Sequence, residues 1–435
     1  MKRLFRYLVG LIVLAAVGAG GFFVYAASVP AIDPIAPPDK ASFGADLVST
    51  GETLAAIGDC VACHTRQGGE EFAGGRALPT PFGTIYSTNI TPDPETGIGT
   101  WSEEAFVRAL RQGVARDGGY LYPAFPYDHF TKATDEDIRA IYAYLMTRQP
   151  VAASAPESEL PFPFNIRLLM AGWNLLFLDK GAHQPDPSKD EPWNRGAYLV
   201  EGLGHCGSCH SPRNFLGAEE PGRRYAGGEA EFWHAPALNR DSPSPAGWTE
   251  DALVNYLIDG WDGDHGIAAG PMRPVVEGVS GLSEDDVYAI ASYVMSFMGE
   301  LPADKAEKAK AFAAEREFGG TAAPAPAAAG DTPEARGEAT FSRVCANCHR
   351  SGGQTVALAL TSTVAGTDPR NVIHIVMNGI EPPSGVPEKS MPRFGPTLSD
   401  EEIADLLAFI RARFTDRPAW SDVPARISEA RALAE

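Results

Sequence analysis

The sequence predicts an all-α chain in which one small helical module is repeated three times in tandem behind an N-terminal membrane segment. Three observations predict it. The pattern Cys-x-x-Cys-His occurs at Cys60–His64, Cys206–His210 and Cys345–His349, and these copies use all six cysteines. Each copy is followed by two runs of helical hydrophobic period, the second opening on the same capping signal every time. Finally, Lys2, Arg3 and Arg6 precede an uncharged, mostly apolar stretch that meets its next charge at Asp33.

Residues 1–30 read as a signal peptide or a signal-anchor helix. Val24-Tyr25-Ala26 loosely resembles a cleavage site, but the apolar run is longer than a usual signal h-region, which favours a retained anchor. The basic end would stay in the cytoplasm and the rest would be exported. The expected location is therefore the inner membrane of a bacterium, with the repeated modules facing the periplasm.

Every module begins with a short helix carrying a glycine eight to ten residues ahead of its first cysteine: Gly51, Gly196 and Gly337. A glycine there lets another helix cross closely. The middle helices are Ser102–Gln112, Thr249–Asp259 and Pro369–Asn378, and each ends in glycine, at Gly113, Gly260 and Gly379. The last helices follow Thr134, Ser283 and Ser399 as N-caps, with Asp137, Asp286 and Glu402 three residues on, as in a capping box. Ile138, Ile141, Tyr144 and Leu145 give the first of them one buried face.

The repeat sets the boundaries at 43–150, 190–300 and 333–420. Between the first two lies an apolar connector, 151–189. Its stretch 160–181 contains Trp173 and Phe177 but is interrupted by Asn165, Arg167 and Asn174, too polar to span a bilayer. It is expected to pack between modules or to form a contact surface. The stretch 301–332 is rich in Ala and Pro and reads as a linker. With 36 Lys and Arg against 56 Asp and Glu the net charge is −20, which argues against a nucleic-acid partner.

The repeated motif carries specific chemistry. Two thiols three residues apart can add to the two vinyl groups of one haem, and the following His is placed to ligate its iron. A zinc site needs such pairs to converge on one metal, and a redox dithiol needs no following His. Three copies with no stray thiol predict three covalently bound haem c groups, on Cys60 and Cys63, Cys206 and Cys209, and Cys345 and Cys348. His64, His210 and His349 are the proximal ligands. The modules are cytochrome c-type domains.

In such modules a Met from the loop between the second and third helices usually takes the sixth position. Met272 follows Gly260 by the same interval as Met391 follows Gly379, which assigns both as distal ligands. Phe125 stands at that interval after Gly113 and cannot ligate iron. Three readings stay open for the first haem: His129, four residues farther along the same loop; an open or water-bound iron; and Met146. Met146 shares its helix position with Met295 and Arg411, so packing explains it better, and His129 is favoured. His374 and Met377 align with Val107 and Leu110 and with Val254 and Leu257, and are expected in the core. Met ligation raises a haem potential relative to His, so a His64/His129 haem would be the lowest step. An open first iron would instead suit a peroxidase-like haem enzyme.

From Leu47 to Phe414 the chain resembles the three-haem cytochrome c subunits of membrane-bound periplasmic dehydrogenases. The resemblance rests on the three motifs with their Mets, on FAGGRALPTPFGTIYSTNITPDPETGIGTWSEEAFVRALRQGV from Phe72 to Val114, on LYPAFPYDHF, and on WNRGAYLVEGLGHCGSCHSPRN. It implies a subunit without substrate chemistry of its own. Such a subunit is bound to the cytoplasmic membrane, accepts electrons from a dehydrogenase catalytic subunit and passes them to ubiquinone or a terminal oxidase or cytochrome. Relatives serving PQQ alcohol dehydrogenases and flavin sugar-acid dehydrogenases usually have Met where Phe125 stands. The YPAFPYDHF version is similar to cytochromes accompanying molybdenum hydroxylases, such as aldehyde and nicotinate dehydrogenases, and the resemblance therefore favours a molybdenum partner.

Overall fold

Helices dominate, as expected, joined among the described residues by three two-stranded antiparallel hairpins that hydrophobic periodicity does not announce. The computed structural model describes residues 2–319, 331–350, 355–383, 385–387 and 389–433. They form two compact units, the first comprising 1–184 with 201–205 and 216–218, the second the remainder.

In the first unit, α1 (Lys2–Ala27) leads by an extended segment to α2 (Ala45–Ile57), and the attachment turn α3 (Cys60–Cys63) follows at once. A hairpin, β1 (Ala77–Thr80) with β2 (Gly83–Tyr86), comes next, then α4 (Glu103–Gln112), the short α5 (Tyr127–Phe130), α6 (Asp135–Thr147) and α7 (Met170–Phe177). The crossing of α2 over α6 shows why Gly51 is glycine: a Cβ there would collide with the carbonyl of Ala140 and the Cβ of Tyr144. Ser102 caps α4, accepting from the Ala105 N–H, and Gly113 closes that helix in the left-handed region at φ 62°.

The expected membrane anchor is not upheld. Among the described residues no helix is long and apolar enough to cross a membrane, which removes the anchor from the fold and the inner-membrane placement that rested on it. The physical reason lies at both ends of α1. Lys2, Arg3 and Arg6 open it, while Ala26, flanked by Phe22, packs on Val114, Tyr120 and Ala171.

The connector packs through one face of α7. Trp173 is buried with its Nε1–H donating to the Leu216 carbonyl at 3.1 Å, and Asn174 accepts from the Tyr127 hydroxyl at 2.7 Å while donating to the Gln112 carbonyl at 2.9 Å. Its opposite face leaves Leu175 and Leu176 exposed.

The second unit holds two repeats. The first runs through α8 (Glu191–Glu201), α9 (Gly207–His210), β3 (Gly228–Ala230) with β4 (Trp233–Ala235), α10 (Glu250–Asp259), β5 (Trp261–Asp262) with β6 (Gly266–Ile267), α11 (Met272–Val279) and α12 (Glu284–Met298). A helix, α13 (Ala303–Arg316), occupies much of the stretch expected as linker, whose 320–330 portion lies outside the described residues. The last repeat comprises α14 (Pro333–Thr340), α15 (Ser362–Ala365), α16 (Arg370–Asn378), α17 (Asp400–Phe414) and an added α18 (Val423–Ala432). The glycine crossing recurs twice, Gly196 against the Ala289 carbonyl and Gly337 against the Asp405 carbonyl.

Thr134, Ser283 and Ser399 all accept from the backbone N–H three residues on. The reciprocal box closes at Ser399, where the Glu402 carboxylate returns to the Ser399 N–H at 2.9 Å. Asp286, one methylene shorter than Glu, instead grips Arg195 on α8 through both carboxylate oxygens at 2.6 and 2.8 Å. Asp405 repeats that bidentate grip on Arg336 at 2.6 and 3.0 Å.

Candidate functional site

All three motifs fold into the same turn. The backbone N–H of the histidine donates to the carbonyl of the first cysteine, His64 to Cys60 at 2.9 Å, His210 to Cys206 at 3.0 Å and His349 to Cys345 at 3.0 Å. One helical turn therefore carries two thiols and an imidazole, the donor set a covalent haem requires. None of the six cysteines is in a disulfide. Burial, with Asp59 nearby in the first case, pushes the Cys60 and Cys206 thiols up to about 12 and Cys345 up to about 11. Before attachment they stand as neutral thiols, because burial disfavours the charged form.

Burial likewise holds the His64, His210 and His349 imidazoles below the usual histidine range, keeping the ring neutral and able to donate a lone pair. Hydrogen bonding then selects the nitrogen. His64 Nδ1 lies 2.6 Å from the Thr88 carbonyl and His210 Nδ1 lies 2.7 Å from the Pro236 carbonyl. A carbonyl only accepts, so Nδ1 carries the proton and Nε2 keeps the lone pair that a ligand needs. His349 differs: its Nδ1 is buried with no hydrogen-bond partner among the described residues.

The unanticipated hairpins explain that difference. β2 runs into Thr88 and β4 into Pro236, so each hairpin delivers the carbonyl that orients its histidine. Both are pinned to the attachment turn by a glycine N–H, Gly74 to the His64 carbonyl at 2.7 Å and Gly227 to the His210 carbonyl at 2.9 Å. Gly74 sits at φ 71°, and a Cβ on it would strike the Thr88 backbone. The signal was present in the sequence as Ala73-Gly74-Gly75 and Ala226-Gly227-Gly228, a repeat absent from the third module, which forms no such hairpin among its described residues.

The distal candidates occupy different settings. Met272 begins α11, and Met391 pairs with Ile380 in an isolated antiparallel bridge and packs, as Cys345 does, on the core of the third repeat. Phe125 packs against Tyr127 and Phe130, ring centroids 6.3 and 5.3 Å apart. Met146 is 1% exposed inside α6, among Ile138, Ile141 and Leu145. His129 is buried on α5, and its Nδ1 lies 2.9 Å from the Glu201 carbonyl. That is the same carbonyl arrangement found at His64 and His210, and it puts the proton on Nδ1 and the lone pair on Nε2.

Known proteins share these motifs. The cytochrome c family model matches residues 48–149, and the model described as cytochrome C oxidase, cbb3-type, subunit III matches residues 332–410. The chain is 47% identical over 409 residues to a nicotinate dehydrogenase subunit of Pseudomonas putida, covering 92% of this chain but 33% of that protein. It thus spans about a third of that relative's length. It is 40% identical to the gluconate 2-dehydrogenase cytochrome c subunit of Pantoea cypripedii, covering 84% of this chain and 85% of that one. With the cytochrome c subunit of the alcohol dehydrogenase (quinone) of Gluconobacter oxydans it shares 37% identity over 84% of this chain and 78% of the other. The three attachment turns hold three covalent c-type haems.

Proposed function

We propose that this chain, which belongs to the family of cytochrome c subunits of dehydrogenases, relays electrons from an alcohol- or sugar-acid-oxidising catalytic subunit to ubiquinone or another respiratory acceptor. It is a triheme electron-transfer subunit of a dehydrogenase complex, and the observation that carries the reading is the attachment turn folded alike three times. The partner assignment follows the relatives matched over more than three quarters of both chains, the gluconate and quinone alcohol dehydrogenase subunits. That favours a PQQ alcohol dehydrogenase or a flavin sugar-acid dehydrogenase. A molybdenum hydroxylase is the second reading, supported by the 47% identity to the nicotinate dehydrogenase subunit and by Phe125.

The haems supply one-electron chemistry; the chain holds and tunes them. Thr88 and Pro236 fix the proximal tautomers, Met272 and Met391 complete the second and third irons, and His129 completes the first. Carbonyl hydrogen bonding raises the basicity of a ligating imidazole and favours the ferric state. His349 has no such acceptor among the described residues, so the third haem takes the highest potential, the second lies below it, and the first is lowest. Potentiometric titration with each haem assigned by its own cysteine-to-alanine variant checks this order. A third haem below the second would contradict it.

The test of function is isolation of the complex with its catalytic subunit. Adding gluconate-like or alcohol substrates to the complex should reduce all three haems, while the chain alone stays oxidised. Reduction of the isolated chain by substrate, or turnover of peroxide by it, would sink the reading.

A further inference from the structure

The second and third repeats share one compact unit, and an aromatic contact joins them. The Trp233 indole lies face to face with the His374 imidazole, ring centroids 4.8 Å apart and planes inclined by 19°. His374 stands on α16 where the sister helices carry Val107 and Val254, positions that read as core. Its burial comes instead from the neighbouring repeat.

Each ring is tied to axial machinery. Trp233 opens β4, three residues ahead of the Pro236 carbonyl that orients His210. Its hairpin partner β3 begins at Gly228, which lies so close to the Cys209 and Ser211 carbonyls that a Cβ would strike both. The indole also covers Gly270, two residues before Met272; a Cβ on Gly270 would enter the ring. One side chain therefore stands on the segment that leads to the Pro236 carbonyl and against the segment that leads to Met272. On the other side, α16 contributes Val372, Ile373, Val376 and Met377 to the core against which Cys345 and Met391 both pack. Its carbonyls of Val376 and Met377 hold the N–H groups of Phe394 and Gly395 at 2.9 and 3.0 Å, fixing the strand that carries Met391.

The contact is clamped. Asn371 accepts from the His234 N–H at 2.9 Å and donates to the His234 carbonyl at 2.8 Å. Arg370, held by Asp368 at 2.8 Å, reaches Glu229 at 2.6 Å. These groups flank the two rings and restrict their separation, which is what a packed junction needs and a void would lose.

We propose that the Trp233–His374 stack is the electron-transfer junction between the second and third haems. The inference rests on the relay reading above. One electron crosses: one iron is oxidised, the other reduced, no bond forms or breaks, and neither ring changes charge.

The test uses the full chain with its three haems. After pulse reduction, the redistribution of electrons between the second and third haems is followed optically in the native chain and in Trp233→Leu, His374→Val and His374→Phe variants. Haem content and potentials are measured on each. The expected result is redistribution slower on the order of tenfold in Trp233→Leu and His374→Val, where stacking gives way to looser packing, with recovery in His374→Phe and unchanged potentials in the two His374 variants. Native rates in both slowed candidates would overturn the proposal while leaving the relay intact. Absence of any exchange between the two haems in the native chain would bring down the relay and the junction together. Should Trp233→Leu lose a haem, the valine and phenylalanine variants at 374 decide alone.

Discussion

Replacing Gly196 with valine will cost the second repeat its fold. The α8 helix crosses α12 with the Ala289 carbonyl and the Tyr293 Cβ occupying the space a side chain would need. Overpacking a well-filled core costs about 1–3 kcal/mol when neighbours can shift. Here the obstacle is helix backbone, already tied by the Arg195–Asp286 pair at 2.6 Å, so the cost lies at or above the top of that range. Against a total stability of about 5–15 kcal/mol for an ordinary domain, that is a large share. The measurement is haem content per chain together with thermal unfolding. We expect Gly196→Val to lose the second haem and Gly196→Ala to retain it with a lower Tm. Native haem content and native Tm in the valine variant would show that the crossing is not needed. The same argument covers Gly51 and Gly337, whose crossings are built on the Ala140 and Asp405 carbonyls.

Replacing His129 with alanine will convert the first haem from low-spin to a form that binds carbon monoxide and cyanide. The imidazole is buried, its Nδ1 is directed at the Glu201 carbonyl, and its Nε2 is thereby the basic nitrogen. Phe125, at the interval where the sister repeats place Met272 and Met391, offers no donor atom, and Met146 is enclosed in the core of α6. Electron paramagnetic resonance of the alanine variant should lose the bis-histidine signal of one haem and leave the other two unchanged. A His129→Met variant that regains low-spin character should do so at a higher potential. Unchanged signals in His129→Ala would exclude it as the ligand.

The helices and their order were legible because their signals are local. Caps at Thr134, Ser283 and Ser399, closing glycines at Gly113 and Gly260, and the crossing glycines are all written within a few residues of the feature they produce. The attachment cysteines were legible for the same reason. The hairpins were not, because their strands are two to four residues long and show no clean alternation. What holds the first two is a pair of glycine N–H groups, one to each, bonding back to the histidine turn. The N-terminal helix was misread through composition: the apolar count suggested an anchor, whereas the packing of Ala26 on Tyr120 and Ala171 depends on residues more than 90 positions away. His374 was read as core from its alignment with Val107 and Val254, and only the fold brings Trp233 to its ring.

At the centre stands a three-haem relay, for which we propose two His–Met irons and one His–His iron, none open to substrate. Near-infrared magnetic circular dichroism of the intact oxidised chain during a reductive titration tests it most directly. Three one-electron steps are expected, the lowest losing a bis-histidine band and the two higher ones losing histidine–methionine bands. A high-spin iron, or a histidine–methionine signature on the lowest step, would contradict the relay as drawn.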